Sequence, residues 1–402
     1  MDQIFSGLKV VDAATYIAAP SAAAMLADFG ADVIKVERPP AGDPFRQLYK
    51  TPGMPESDHN YPFIVDNRNK RSIALDISSA TGRDVFLRLT SAADIVVTNY
   101  QPQMLRRFRI SYEDLSAANP RLIFASITGY GERGPEAETP GYDMTGYFAR
   151  SGLMSYIHNA DAEPAVSPCG FGDHPSAVSL FAGIALALYR RERTGKGSKV
   201  TTTLMANGVW SNSSLVQAAL CGAAFPAKWT RATPPNPLVN HYTASDGKRF
   251  LFCLLDPARD WVRLCAAIRR PDLVDDRRFS TPDARRDNNR DCVSILDTEF
   301  SRHPMDEWAR RFVAHDVLYG PVPATTEVAG DGQMNLAEVF TPMCDSDVRT
   351  VNSPVNVEGL GKRRPSMPPM VGQHTRQVLV ELGYGADEIS QLESGGVVLH
   401  AD

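Results

Sequence analysis

The chain has 402 residues, 43% hydrophobic and 22% charged, with a formal net charge of -5. This is ordinary globular composition, long enough for two or three domains and for a core that needs no disulfide staples. The acidic balance excludes the basic footprint of a nucleic-acid binder; the short basic runs at Arg106-Arg107, Arg190-Arg191 and Lys362 to Arg364 have acidic residues spread between them.

The N-terminus, MDQIFSGLKVV, has no basic segment followed by an apolar stretch, so no signal peptide is expected. Leu8 to Ala13 reads as a strand, and Pro20 to Gly30 as a helix with Pro in its first turn and Gly at its end. Strands follow at Asp32 to Arg38 and Ser72 to Asp76, an amphipathic helix at Ala80 to Ala93, and strands at Asp94 to Tyr100 and Arg121 to Thr128. This alternation predicts an α/β fold with a parallel sheet covered by helices. Ligands then bind beyond the carboxyl ends of the strands. Those ends carry Ala13 to Tyr16, Arg38, Asn99-Tyr100 and Gly129-Tyr130-Gly131.

A long helix is predicted from His174 to Arg193. Its apolar run, Ala177 to Tyr189, is shorter than the roughly 20 residues a bilayer requires, so it reads as a core helix. The prolines at 226, 234, 235 and 237 mark a linker or surface excursion from Ala223 to Asn240. A second unit has a strand at Phe250 to Leu255 and helices near Ala258 to Ile268 and Met305 to Ala314. The chain closes with a helix at Gln373 to Leu382.

Six cysteines, Cys169, Cys221, Cys253, Cys265, Cys292 and Cys344, form no C-x-x-C pair. Scattered single thiols fit a core in a reducing, cytoplasmic compartment. The eight histidines show no metal-ligand spacing, and there is no P-loop and no G-x-S-x-G. Gly129 to Gly134 matches G-x-G-x-x-G after a strand, but Pro135 to Pro140 is loop text where a dinucleotide site needs a helix.

In Gly172-Asp173-His174-Pro175-Ser176, the local reading is that Asp173 caps the following helix. A carboxylate at a helix N-terminus is favoured as the anion, and an ionised, fixed carboxylate can also act as a nucleophile. Arg38 and Arg107 can pair with acidic neighbours such as Glu37 and Asp43, or else bind phosphate or stack on a purine.

Several stretches together resemble the class III CoA transferases. They are Gly7 to Asp12 through Pro20 and on to Gly30 to Glu37, Asn69 to Asp76, Pro140 to Asp143 through Gly152, Gly172-Asp173, Arg193 to Gly197, and Pro369 to Thr375. The resemblance spans essentially the whole chain. It implies a Rossmann-like large domain with a parallel sheet, a smaller inserted α+β domain, and an interlocked homodimer, with the division 1–200 for the large domain, 201–225 for a linker, 226–315 for the small domain, and 316–402 for a linker and a return to the large domain. It places the nucleophile on Asp173 and the CoA contacts on Thr15, Tyr16, Ile17, Ala18, Arg38, Leu75, Asn99, Tyr100, Met104, Arg107, Phe108 and Tyr130. It implies exchange of CoA between an acyl-CoA and a small carboxylic acid through an aspartyl anhydride and an aspartyl-CoA thioester. No metal, nicotinamide, nucleic acid or membrane is expected to take part.

The α-methylacyl-CoA racemases share the fold and are the alternative. They carry a His where this chain has Tyr142, and a tyrosine is a poor base at neutral pH. The formyl/oxalate branch has Gln at Ile17 and a glycine-rich loop where 233–240 is rich in proline, while two of its lysines are Ser78 and Thr128 here. A larger, partly apolar acid is therefore expected.

Overall fold

The structure, a computed structural model, describes residues 3–401. The chain forms two compact units: residues 1–156, 166–221 and 338–402 make the larger, and residues 157–165 and 222–337 the smaller.

The larger unit is built on a seven-stranded sheet. Its strands are β1 (Lys9–Ala13), β2 (Asp32–Glu37), β3 (Lys70–Leu75), β4 (Ile95–Thr98), β5 (Ile123–Thr128), β6 (Ser198–Thr203) and β7 (Val398–Leu399). The order is β7-β3-β2-β1-β4-β5-β6, parallel except for β7, which runs antiparallel to β3. The first five strands are nearly continuous in burial, as Val- and Ile-rich strands covered on both faces must be. The chain winds outward from β1 in one direction through β2 and β3, then returns to the other side with β4. The topological switch lies between β1 and β4, where such a sheet opens a crevice.

One face is covered by α1 (Ala18–Asp28) and the 22-residue α6 (Asp173–Thr194). Every residue of α1 is buried, and its six alanines let α1, α6 and the sheet approach closely. On the other face, α3 (Ala80–Ser91), α4 (Pro102–Phe108), α5 (Tyr112–Ala118) and the helices Thr375–Glu381 and Ala386–Ser394 near the C-terminus enclose a second core. The short α2 (Tyr61–Asn67) starts at Asn60, whose side chain accepts from the Phe63 N–H.

The smaller unit has a three-stranded antiparallel sheet of His241–Thr243, Arg249–Phe252 and Tyr319–Val322. Its helices enclose an aromatic core of Tyr242, Phe250, Phe252, Trp261, Phe300, Trp308 and Phe312.

Three expectations are corrected. The stretch 201–225 is not a linker: it carries the end of β6 and the helices Leu204–Ser211 and Ser213–Leu220. Thr203 makes the first of these helices by accepting from the Ala206 N–H. The small unit also extends past residue 315, because Tyr319–Val322 pairs with Arg249–Phe252 and so completes its sheet. Finally, only Cys265 and Cys292 are core thiols, whereas Cys169, Cys221, Cys253 and Cys344 are exposed.

Candidate active site

A cavity of about 520 Å³ opens beyond the carboxyl ends of β1, β2, β4 and β5. It occupies the switch point. The two loops that flank it are tied together: the Thr15 N–H donates to Asn99 Oδ1 at 3.1 Å, and Asn99 Nδ2 donates to the Thr15 carbonyl at 2.7 Å. Thr15, Tyr16, Ile17, Ala18, Arg38, Asn99, Tyr100 and Met104 line the cavity, as does Asp173. Asp173 is 160 residues along the chain from Ala13 and reaches the site because α6 packs across α1.

Four of the residues expected to contact CoA lie outside this lining. Leu75 ends β3 and is buried in the second core. Phe108 packs edge-on against Tyr100 at 6.4 Å between ring centroids, and the exposed Arg107 guanidinium stands 5.9 Å from the Phe108 ring. The Tyr130 ring faces the Arg150 guanidinium at 6.0 Å.

The floor of the cavity rests on buried charge that the chain pattern did not announce. Lys35 of β2 has no exposed surface and lies 2.8 Å from Asp43 Oδ2 and 3.7 Å from Asp12 Oδ2. Its Nζ also donates to the Ala14 carbonyl. Lys70 of β3 donates to Asp12 Oδ2 at 2.8 Å, to Asn67 Oδ1 and to two backbone carbonyls. Burial opposes both cations. At Lys35 the charges of Asp12, Asp43 and Glu37 outweigh it and push the ammonium above its usual range. At Lys70 burial and the neighbouring Lys35 prevail over Asp12, and its pKa is lowered to about 8. A charged residue in the middle of an apolar strand was the available signal for Lys35.

Asp43 converts this charge into loop geometry. Its Oδ1 accepts from the Tyr16 and Phe45 N–H groups, which holds Tyr16 at φ +63°. The left-handed conformation is costly for a tyrosine, and such strain persists where surrounding contacts fix it. The Tyr16 ring meets Tyr142 edge-on at 5.6 Å. Glu37 is engaged by Arg46, whose Nε and Nη2 donate at 2.8 and 2.7 Å. The expected pairing of Arg38 with Glu37 or Asp43 is thus replaced, because Arg46 and Lys35 take those carboxylates. Arg38 has no ion pair among the described residues and is exposed at the cavity.

Asp173 opens α6 as its first helical residue; the N-cap is Gly172, and no side chain caps the helix. The capping role expected for Asp173 is therefore corrected. The Gly172 N–H is taken by Asp143 Oδ2 at 3.2 Å. A Cβ at Gly172 would lie 2.5 Å from the Tyr147 ring, so only glycine fits there. The Asp173 carboxylate makes no hydrogen bond among the described residues. Burial, then the charge of Asp143, then that of Asp66, raise its pKa to about 7, with His174 opposing. A partly buried carboxylate with no hydrogen-bond partner in a cavity wall is chemically available to a ligand.

The Gly129–Gly134 segment leads into turns, not a helix; the next helical residues are the π-helical segment Asp143–Ala149. Gly129 and Gly141 approach so closely that a Cβ on Gly129 would stand 2.8 Å from the Gly141 Cα. These glycines join two loops at the cavity wall, which is why both must lack a side chain.

Residues 5–375 match the family described as CoA-transferase family III. The chain belongs to family III of the CoA-transferases. Over 399 residues it is 33% identical to (R)-2-hydroxy-4-methylpentanoate CoA-transferase of Clostridioides difficile, covering 98% of this chain and 99% of that one. It is also 33% identical to cinnamoyl-CoA:phenyllactate CoA-transferase of Clostridium sporogenes, with 97% and 96% covered. Among solved structures, a CAIB/BAIF family protein from Brucella suis superposes with a TM-score of 0.85 at 28% identity, covering 95% of this chain and 100% of that one. Among the described residues of this CoA-transferase, no helix is long and apolar enough to cross a membrane.

Proposed function

We propose that this enzyme moves CoA from an acyl-CoA to a free carboxylic acid, with Asp173 as covalent nucleophile. The observation that carries the reading is the Asp173 carboxylate, unpartnered in the wall of the switch-point cavity. The Asp173 carboxylate attacks the thioester carbonyl, and CoA leaves as thiolate, giving a mixed anhydride. The thiolate then attacks the Asp173 carbonyl carbon and releases the donor acid as carboxylate. The acceptor carboxylate attacks the resulting aspartyl-CoA thioester and expels the thiolate, which attacks the acceptor's acyl carbonyl and regenerates Asp173. Each exchange preserves an activated acyl bond, so no energy source is consumed.

The chain's own groups support each requirement. Arg38 offers an unpaired cation to a CoA phosphate. Tyr16, Ile17, Tyr142 and Leu204 give the reacting end an apolar wall, which shields an anhydride from water. That wall, and the two similar enzymes named for 2-hydroxy acids with branched or aromatic side chains, favour a bulky, largely apolar acid over oxalate or formate. A racemase needs a base beside the thioester α-carbon. Tyr142 stands where such a base is expected, and both ring nitrogens of His174 face acceptors.

The enzyme is further proposed to act in the cytoplasm as an interlocked homodimer. Six unpaired cysteines support the compartment. Leu186, Tyr189, Trp210 and Leu220, exposed on three successive helices, support a partner surface.

Intact-protein mass spectrometry after incubation with a panel of acyl-CoAs, quenched with hydroxylamine or borohydride, tests the mechanism. A modification of the Asp173 peptide that is absent in Asp173→Ala supports it. No adduct, together with deuterium exchange at the substrate α-carbon, would move the enzyme to the racemase reading.

A further inference from the structure

His174 follows Asp173 in the first turn of α6, and no step above uses it. Its Nδ1 lies 3.0 Å from the Gly170 carbonyl and its Nε2 lies 3.1 Å from Asp66 Oδ1. A carbonyl oxygen and a carboxylate can only accept, so this ring is matched to donation from both nitrogens, and only the imidazolium does that. Asp66 is buried at the end of α2, and its Oδ1 also accepts from Ser21 Oγ of α1 at 2.5 Å. Ser21 thus fixes the Asp66 carboxyl with Oδ1 against the half-exposed His174 ring.

We propose that His174 is a positioning residue for Asp173: held as a doubly donating imidazolium by Asp66 and Gly170, it keeps the neighbouring nucleophile ionised whenever the free carboxylate must be regenerated. The proposal rests on the reading of Asp173 as nucleophile. The electrostatics of the site require such a counter-charge. Asp173 is flanked by Asp143 from the π-helical segment and by Asp66 from α2, two carboxylates that disfavour its ionisation. The Cys169 thiol, from the loop before α6, is pushed up to about 11 by burial and by Asp143, Asp173 and Asp66, so it supplies no anion. Lys70 approaches Asp66, but through the Asp66 carbonyl, and its charge is directed to Asp12. The cation that opposes these carboxylates at Asp173 is His174. Burial lowers the His174 pKa, but the Asp66 hydrogen bond and charge, the Asp173 charge and the Gly170 carbonyl outweigh it and raise it to about 9. The ring is half exposed, and water screens part of this interaction.

The first test is kcat/KM against pH for the full-length enzyme, using the acyl-CoA that labels Asp173 most rapidly. In His174→Gln, the acid limb is expected to move up by about one pH unit, with roughly tenfold loss at pH 6 and little loss at pH 9. His174→Lys, which keeps the charge, is expected to return the limb towards its original position. An unmoved limb, or a loss uniform across pH, overturns the proposal, since a merely structural role predicts the latter. A second measurement needs no altered chain: 15N NMR of the His174 ring in the unmodified protein, assigned through bonds from its own backbone amide. Two protonated nitrogens at pH 7.5 are expected, and a neutral tautomer there overturns the proposal even if the variants fold poorly. If Asp173 is labelled while His174 is neutral, this proposal alone fails. If Asp173→Asn still exchanges CoA, the nucleophile reading fails and takes this one with it.

Discussion

Lys35 Nζ lies 2.8 Å from Asp43 Oδ2, and neither side chain has any exposed surface. The pair joins β2 to the loop that sets the Tyr16 backbone, so a charge in the sheet fixes the wall of the cavity. Removing one partner of a buried pair leaves an uncompensated charge, whose penalty is about 3–5 kcal/mol. Lys35→Met is therefore expected to destabilise the larger unit by that amount in urea unfolding. The Lys35 pKa is raised on folding, so its stabilisation is complete below its unfolded value near 10.4 and fades only above that. The loss should consequently be equal at pH 6 and pH 8.

Asp173→Asn keeps the shape and removes the anion proposed as the nucleophile. Exchange is expected to fall by about 10⁴-fold or more, as measured by steady-state transfer with a labelled acyl-CoA. The same change should raise stability at alkaline pH. Folding lifts the Asp173 pKa from its ordinary value near 3.9 to about 7, so the carboxylate's contribution is most favourable below about 4 and is lost as pH rises through 7. Asp173→Asn should melt above the natural chain at pH 8, by about 2–4 °C for each kcal/mol released, and match it near pH 4.

The free enzyme's pH profile follows from the same group. On the proposed mechanism only ionised Asp173 attacks a thioester, so kcat/KM should fall on the acid side with a midpoint near 7. Saturating substrate expels water and changes the surroundings of the carboxylate, so kcat should show a different midpoint. A profile flat between pH 5 and 8 would contradict the raised carboxylate.

Arg38 is exposed at the cavity without an ion pair among the described residues. If it meets a CoA phosphate, Arg38→Ala should raise KM for the acyl-CoA by about tenfold with kcat nearly unchanged, since a charge-assisted hydrogen bond contributes about 1.5–3 kcal/mol. The effect should shrink at high salt. Arg46→Ala, whose partner is Glu37, should instead lower stability.

Much of this molecule is legible in the chain itself. The strands of the sheet are runs of Val and Ile bounded by Gly, Asp and Asn, and their alternation with helices permits little except a parallel sheet. The helix Asp173–Thr194 is equally plain, with an apolar stripe and Gly195 behind it. The order of the motifs from Gly7 to Thr375 also carries the family. What pattern could not supply was partnership. Asp173 looked like a cap because local text cannot show that Gly172 takes the cap position while Asp143, 29 residues earlier, accepts its N–H. His174 and Asp66 are 108 residues apart, and Lys35 meets Asp43 only through a turn after β2. Short-range periodicity reports which face of an element is buried. Which charges meet beneath a cavity depends on how α1, α2 and α6 pack over the sheet, and only the tertiary structure decides that.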